Sequence, residues 1–163
     1  MSRQRASGRL LLLSLLAALL FSLAPVPASL QPLRPFWLAL VLCYWLLEAP
    51  EMVGLGIAFI TGVVADLIFG SLIGEHAMRL TIFAFIILRF RARLRFFPLT
   101  QQALAVLVLL FNDRVVSLMI RGVIGEAWPP ASFWIAPVVG AFLWPWLFLL
   151  LDDLRLKLRG SPG

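Results

Sequence analysis

The residues of this chain that could do chemistry stand in apolar company. Asp66 lies in TGVVADLIFGSLIGEHAM, residues 61–78, with Val63, Val64 and Ala65 before it and Leu67, Ile68 and Phe69 after it. Asp113 and Arg114 follow Asn112 inside a second apolar run, and Arg79 lies in a third. A carboxylate in such a setting has three physical uses. It can share one proton with a second carboxylate and activate water, it can relay protons, or it can neutralise a cation that is also out of water. His76 is the single histidine and Cys43 the single cysteine, which excludes a histidine pair for a metal and an intramolecular disulfide. With no phosphate-cradling glycine loop and no metal-ligand spacing either, neither a cofactor nor a metal is expected.

The elements that must position these groups are membrane helices. Of the 163 residues 62% are hydrophobic and 13% charged, against roughly 25% charged in a soluble domain. The mean hydropathy is +0.99. Too little polar surface exists to wrap a soluble core, and the apolar residues fall into long blocks, so the chain reads as an all-α polytopic membrane protein with one integral domain, residues 1–163. The net charge of +6 would suggest nucleic acid in a soluble protein. Here the cations flank the apolar blocks, so they set topology, and no nucleic-acid partner is expected.

Six spans are read: Leu10–Leu23, Phe36–Leu47, Val53–Gly70, Ala77–Leu88, Leu99–Ile120 and Phe133–Leu151. Prolines and glycines punctuate them, among them Pro35, Pro50, Gly74, Pro98, Gly125 and Pro130. Lys and Arg in short loops stay cytoplasmic. Arg3, Arg5 and Arg9 precede the first span; Arg89, Arg91, Arg93 and Arg95 form a basic loop after the fourth; Arg155, Lys157 and Arg159 follow the sixth. Six spans bring all three clusters to one side, so both termini are expected in the cytoplasm. The start also resembles a secretory signal ending at PVPAS, residues 25–29, with Val26 and Ala28 at the small positions before a cut. The first span is expected to be retained.

Depth groups the polar residues. The third span runs outward, which puts Asp66 about 6 Å below its outer end. Arg79 lies near the start of the returning span, and Asp113 and Arg114 slightly beyond the midpoint of the fifth. The four share the outer half of the bilayer, and their formal charges sum to zero. Each would cost ~2.5–3.5 kcal/mol at a helix centre, so pairing inside the bundle is expected. Asp66 is expected to pair with Arg79 or Arg114, and Glu75 to add a rim contact to Arg79 at i,i+4. Asp113 and Arg114, ~100° apart on a helix, must point at different partners. Gly54, Ala58, Gly62, Asp66 and Gly70 recur at steps of four. With Gly74 they offer a small-residue face for close packing within the bundle or against a partner helix.

Enzymatic readings lack their motifs. FNDR, residues 111–114, loosely resembles the Asn-x-x-Asp-Arg element of lipoprotein signal peptidases, but the spacing differs and Arg114 would keep Asp113 ionised. GSLIG, residues 70–74, displaces the serine of a rhomboid-like Gly-x-Ser-x-Gly, and His76 is only five residues from Ser71. A solute-binding subunit of a transporter remains an alternative, because Pro137, Gly140 and Pro145 could break the sixth span around a site.

Several stretches together resemble one family. ADLIFGSLIG is similar to the Asp-Leu-x-x-Gly-x-x-x-Gly segment of the rod shape-determining membrane protein MreD. LRPFWLALVLCYWLLEAP is similar to its second-span region, QQAL to the start of its fifth span, and LWPWLFLLLDDLR to its last. The stretches are colinear over nearly the whole chain. FNDRVVSLMIR and the Glu48–Glu51 turn are more charged than that pattern. The resemblance implies a non-catalytic part of the cell-elongation machinery. Its partners would be a bitopic MreC-like protein and, less directly, the MreB filament, the RodA glycosyltransferase and a penicillin-binding transpeptidase. It also implies a fold similar to the solute-binding subunits of energy-coupling transporters. Anionic lipids are a further expected partner of the basic loop, Arg89 to Arg95.

Overall fold

A computed structural model describes residues 2–160; the side chains of Arg3 and Arg159 lie outside the described residues. Six α-helices follow in order: α1 (Ser2–Leu23), α2 (Trp37–Glu48), α3 (Leu55–Phe69), α4 (Glu75–Leu94), α5 (Leu99–Ile124) and α6 (Ile135–Gly160). Single 3₁₀ turns precede α2 and α6, at Ala28–Leu33 and Ala131–Trp134. No strand occurs among the described residues. Each expected span overlaps one helix, with ends that differ by up to nine residues.

The shortest helix is the centre of the bundle. Every residue from Leu38 to Leu47 of α2 is buried, most of them completely. This explains why WLALVLCYWLL shows no polar face: a helix apolar all round has neighbours all round. Those neighbours are α1, α4 and α6. Twelve residues rise only ~18 Å, well short of a bilayer core. The polar tips on α2 find partners. Trp45 Nε1 donates to Ser14 Oγ at 3.0 Å, and Tyr44 Oη donates to Asp152 Oδ1 at 3.1 Å. Behind it, Trp144 Nε1 donates to Gln102 Oε1 at 3.0 Å, and Gln102 Nε2 to the Leu94 carbonyl at 3.0 Å, tying α4, α5 and α6 together.

Two helices, Leu99–Ile124 and Ala131–Leu158, are long and apolar enough to cross a membrane. They pack on each other around Gly140, where an added Cβ would come within 2.7 Å of Leu110 Cδ1. Outward-facing Leu104, Val108, Phe142 and Trp146 are each more than 60% exposed, a surface suited to lipid rather than water.

Helix ends sort into two groups. At one end Arg155 Nη1 lies 3.7 Å from Glu48 Oε2, and Arg91 Nε donates to the Leu47 carbonyl at 2.9 Å, so the ends of α2, α4 and α6 meet. At the other end a crevice brings the C-termini of α1 and α3 to the N-termini of α2 and α4. The boundary of the fourth block needs correction. Arg89, Arg91 and Arg93 occupy the last turns of α4 and Arg95 is its C-cap, rather than forming a loop. Arginine is a good helix former, and cations at a helix C-terminus complement its dipole.

Candidate functional site

The chemistry-bearing residues gather at the crevice end, in two separate arrangements. Asp66 belongs to the first. It sits one turn before the end of α3, 1% exposed, and its carboxylate reaches over the turn to the start of α4. Gly74 N donates to Oδ2 at 2.8 Å, and His76 N donates to Oδ1 at 2.9 Å. Ala77 N lies 3.4 Å from Oδ2. The first amides of a helix have no intrahelical acceptor, and their partial positive charge favours an anion. Asp66 thus caps the N-terminus of the next helix, where no capping side chain is supplied locally.

The spacing of the Asp-Leu-x-x-Gly-x-x-x-Gly segment follows from this geometry. Gly70 ends α3 at φ +67° and Gly74 precedes α4 at φ +104°, left-handed conformations that a side chain would strain. The two reversals fold the connection back so that the amides of α4 face Asp66. One face of α3 meets α4 closely: a Cβ on Gly62 would come within 2.3 Å of Ala77 Cα and 2.6 Å of the His76 carbonyl oxygen. Ala58 on the same stripe is fully buried. Added Cβ atoms at Gly54, Gly70 and Gly74 would meet nothing within 4 Å, so the close approach is made at Gly62 alone among the four glycines of the expected face.

Ser71 and His76 complete the Asp66 cluster. Ser71 Oγ donates to Asp66 Oδ1 at 2.8 Å, and His76 Nδ1 lies 2.9 Å from the same oxygen and 3.2 Å from Ser71 Oγ. Serine, histidine and aspartate are together, but the order is wrong for a proton relay. Such a relay holds the carboxylate on one ring nitrogen and the serine on the other. Here both meet Nδ1, and Ser71 gives its proton to the carboxylate. The cluster orders a turn. In the sequence His76 has neither a second ligand nor a properly spaced serine beside it. Its ten-residue offset from Asp66 becomes a contact only once α4 folds back on α3.

The second arrangement is an ion pair between helices. Arg79 Nε and Nη2 donate to Asp113 Oδ1 and Oδ2 at 3.0 and 2.7 Å, a two-pronged contact between α4 and α5. Both side chains are almost completely buried. Glu75 Oε1 stands 3.8 Å from Arg79 Nη1, and the Phe36 ring centre lies 4.7 Å from its Cζ. The expected pairing of Asp66 with Arg79 or Arg114 is therefore corrected. Asp66 satisfies main-chain amides instead, and the shape-matched fork of Arg79 goes to Asp113. Arg114 points away from Asp113, as neighbours on a helix must, and lies over the Phe133 ring at 4.4 Å. It is in no ion pair among the described residues.

Next to these groups is a crevice of about 450 Å³ lined by Arg34, Arg79, Arg114, His76 and Ser22 on its polar side. Phe36, Ile68 and Phe69 line its apolar side. Arg34 reaches the crevice from the C-cap of the 3₁₀ turn before α2. Its Nη2 donates to the Ala24 carbonyl, while its Nε is buried without a partner among the described residues.

The comparisons with known proteins bear on the chain as a whole. A family model described as rod shape-determining protein MreD matches residues 4–154. Rod shape-determining protein MreD from Haemophilus influenzae is 38% identical over 146 residues, covering 87% of this chain and 88% of its own. No solved structure matches. The match includes the capped turn around Asp66 and runs through every helix that supplies a side chain to the ion pair and the crevice. The chain belongs to the MreD family of rod shape-determining proteins.

Proposed function

We propose that the chain is a non-catalytic, six-span scaffold of the bacterial inner membrane that helps to maintain rod shape by binding an MreC-like bitopic protein. Through that protein it would act on the wall synthases of the elongation machinery, the RodA glycosyltransferase and its penicillin-binding transpeptidase, and on the MreB filament. The family membership over residues 4–154 carries this reading.

The topology rests on charge and contact together. The helix ends bearing Arg91 and Arg155 meet at the Glu48 turn, which supports one shared cytoplasmic face by the positive-inside rule. Retention of α1 is supported by its packing. Leu15, Ala18 and Leu19 are buried, and Ser14 accepts a hydrogen bond from Trp45 of the central helix. A non-catalytic role is supported by how the carboxylates are used. Asp113 is committed to Arg79, and Asp66 to the amides of α4, so neither is arranged to share a proton with the other.

Affinity capture from native membranes, read by mass spectrometry, tests the reading alongside rescue of cell shape in a strain lacking the protein. Recovery of the MreC-like partner together with restored rods is the expected result. Recovery of an ATPase module without that partner would refute the scaffold and favour a solute-binding transporter subunit, the second reading that the crevice supports.

A further inference from the structure

We propose that the crevice at the Arg34–Arg114 end is a binding site for the phosphate headgroup of an anionic lipid in the outer leaflet, a placement that rests on the topology proposed above. The charge balance points to an anion. Among the described residues Arg34, Arg79 and Arg114 line the crevice, and no carboxylate does. Asp113 and Glu75 both serve Arg79, which leaves Arg34 and Arg114 without a carboxylate partner among the described residues. Arg34 keeps a buried, unpartnered Nε. Guanidinium groups match phosphate oxygens by two parallel N–H donors, and Ser22 and His76 add polar groups on the same wall.

The other wall points to a lipid rather than a free ion. Leu23, Ile68 and Phe69 line the crevice at the ends of α1 and α3. α3 packs mainly against α4 and makes little contact with α1, so the crevice opens sideways between these two helices toward the bilayer. Ile68 is 45% exposed there. A volume of about 450 Å³ falls within the usual range for small-ligand pockets. One cationic wall and one apolar wall, open to the side, suit a phosphate with an acyl chain attached.

The test uses the full chain in detergent micelles, where the outcome does not depend on any protein partner. Binding of phosphatidylglycerol is measured by native mass spectrometry and by its effect on the melting temperature, with phosphatidylcholine, glycerol phosphate and inorganic phosphate as comparisons. Phosphatidylglycerol should bind and stabilise, and the Arg34→Gln/Arg114→Gln double variant should bind it at least tenfold more weakly. Arg121→Gln, which removes a charge at the same end outside the crevice, should leave binding unchanged. Ser22→Asp places a competing carboxylate in the crevice without removing any arginine, and it should weaken binding by a similar factor if the double variant fails to fold. Equal binding by wild type and both crevice variants would overturn the site. Equal stabilisation by inorganic phosphate, or by phosphatidylcholine, would overturn the anionic lipid as its occupant.

Discussion

Removing the Asp113 carboxylate isolates the energetic role of the interhelical pair. In Asp113→Ala the Arg79 guanidinium, whose side chain is 8% exposed, loses both of its charge-assisted hydrogen bonds. Breaking a buried pair from one side costs ~3–5 kcal/mol because a charge is left without compensation. Glu75 at 3.8 Å and the Phe36 ring at 4.7 Å still favour the cation, so the lower end applies. A loss of about 3 kcal/mol, roughly a hundredfold in the folding equilibrium, is expected. Arg79→Ala should cost a similar amount by stranding the carboxylate. The double variant removes both charges and should cost about 2 kcal/mol, chiefly for lost packing. The resulting coupling of ~4 kcal/mol would stand well above the ~0.6 kcal/mol average of hydrogen-bonded pairs between membrane helices. Reversible unfolding in mixed micelles, followed by circular dichroism, measures all four species. If the double variant equals the sum of the singles within ~0.5 kcal/mol, the two side chains do not interact and the pairing argument fails.

Asp66→Ala should destabilise the protein by ~2 kcal/mol, at the upper end for a lost helix cap, and neither Arg79→Ala nor Arg114→Ala should restore it; rescue by either arginine in the same unfolding assay would reinstate an Asp66–Arg pair. Gly62→Val should cost more than 2 kcal/mol or abolish accumulation, because backbone atoms of α4 stand where its Cβ must go, whereas Gly56→Ala, with open space around it, should be neutral or slightly stabilising; equal membrane abundance of the two variants would rule out the close approach of α3 to α4. Reporter fusions in the Arg93 and Lys157 regions should read cytoplasm and fusions at Ser71 and Trp128 periplasm, and a periplasmic signal at Lys157 would rule out six spans. Changing Arg89, Arg91, Arg93 and Arg95 together to Gln removes four charges, each worth ~1 kcal/mol near an anionic leaflet. A shifted reporter pattern is expected, and an unchanged one would refute their role in orientation.

Hydropathy and charge were enough to read the helical class, the number of helices and their approximate positions, because both are local: a run of apolar residues between breakers has few other folds available. Membership in the family was legible too, since ADLIFGSLIG and its colinear companions are themselves sequence. The set of residues at the polar end could also be listed, because depth along a helix follows from counting. Which of them touch was decided only by the tertiary structure. Asp66 and Asp113 carry the same charge near the same end of the bundle, and nothing local distinguishes them as acceptors for Arg79. The turn from Gly70 to Gly74 makes the difference, aiming the amides of α4 at Asp66 and leaving the guanidinium free to face α5. The burial of α2 was hidden for a related reason: an apolar helix facing lipid and one enclosed by other helices have the same composition. Arg34 and Arg114, far apart in the chain, become one crevice only through the packing of helices that neither belongs to, α1, α3 and α4, because a cavity is a property of several surfaces at once.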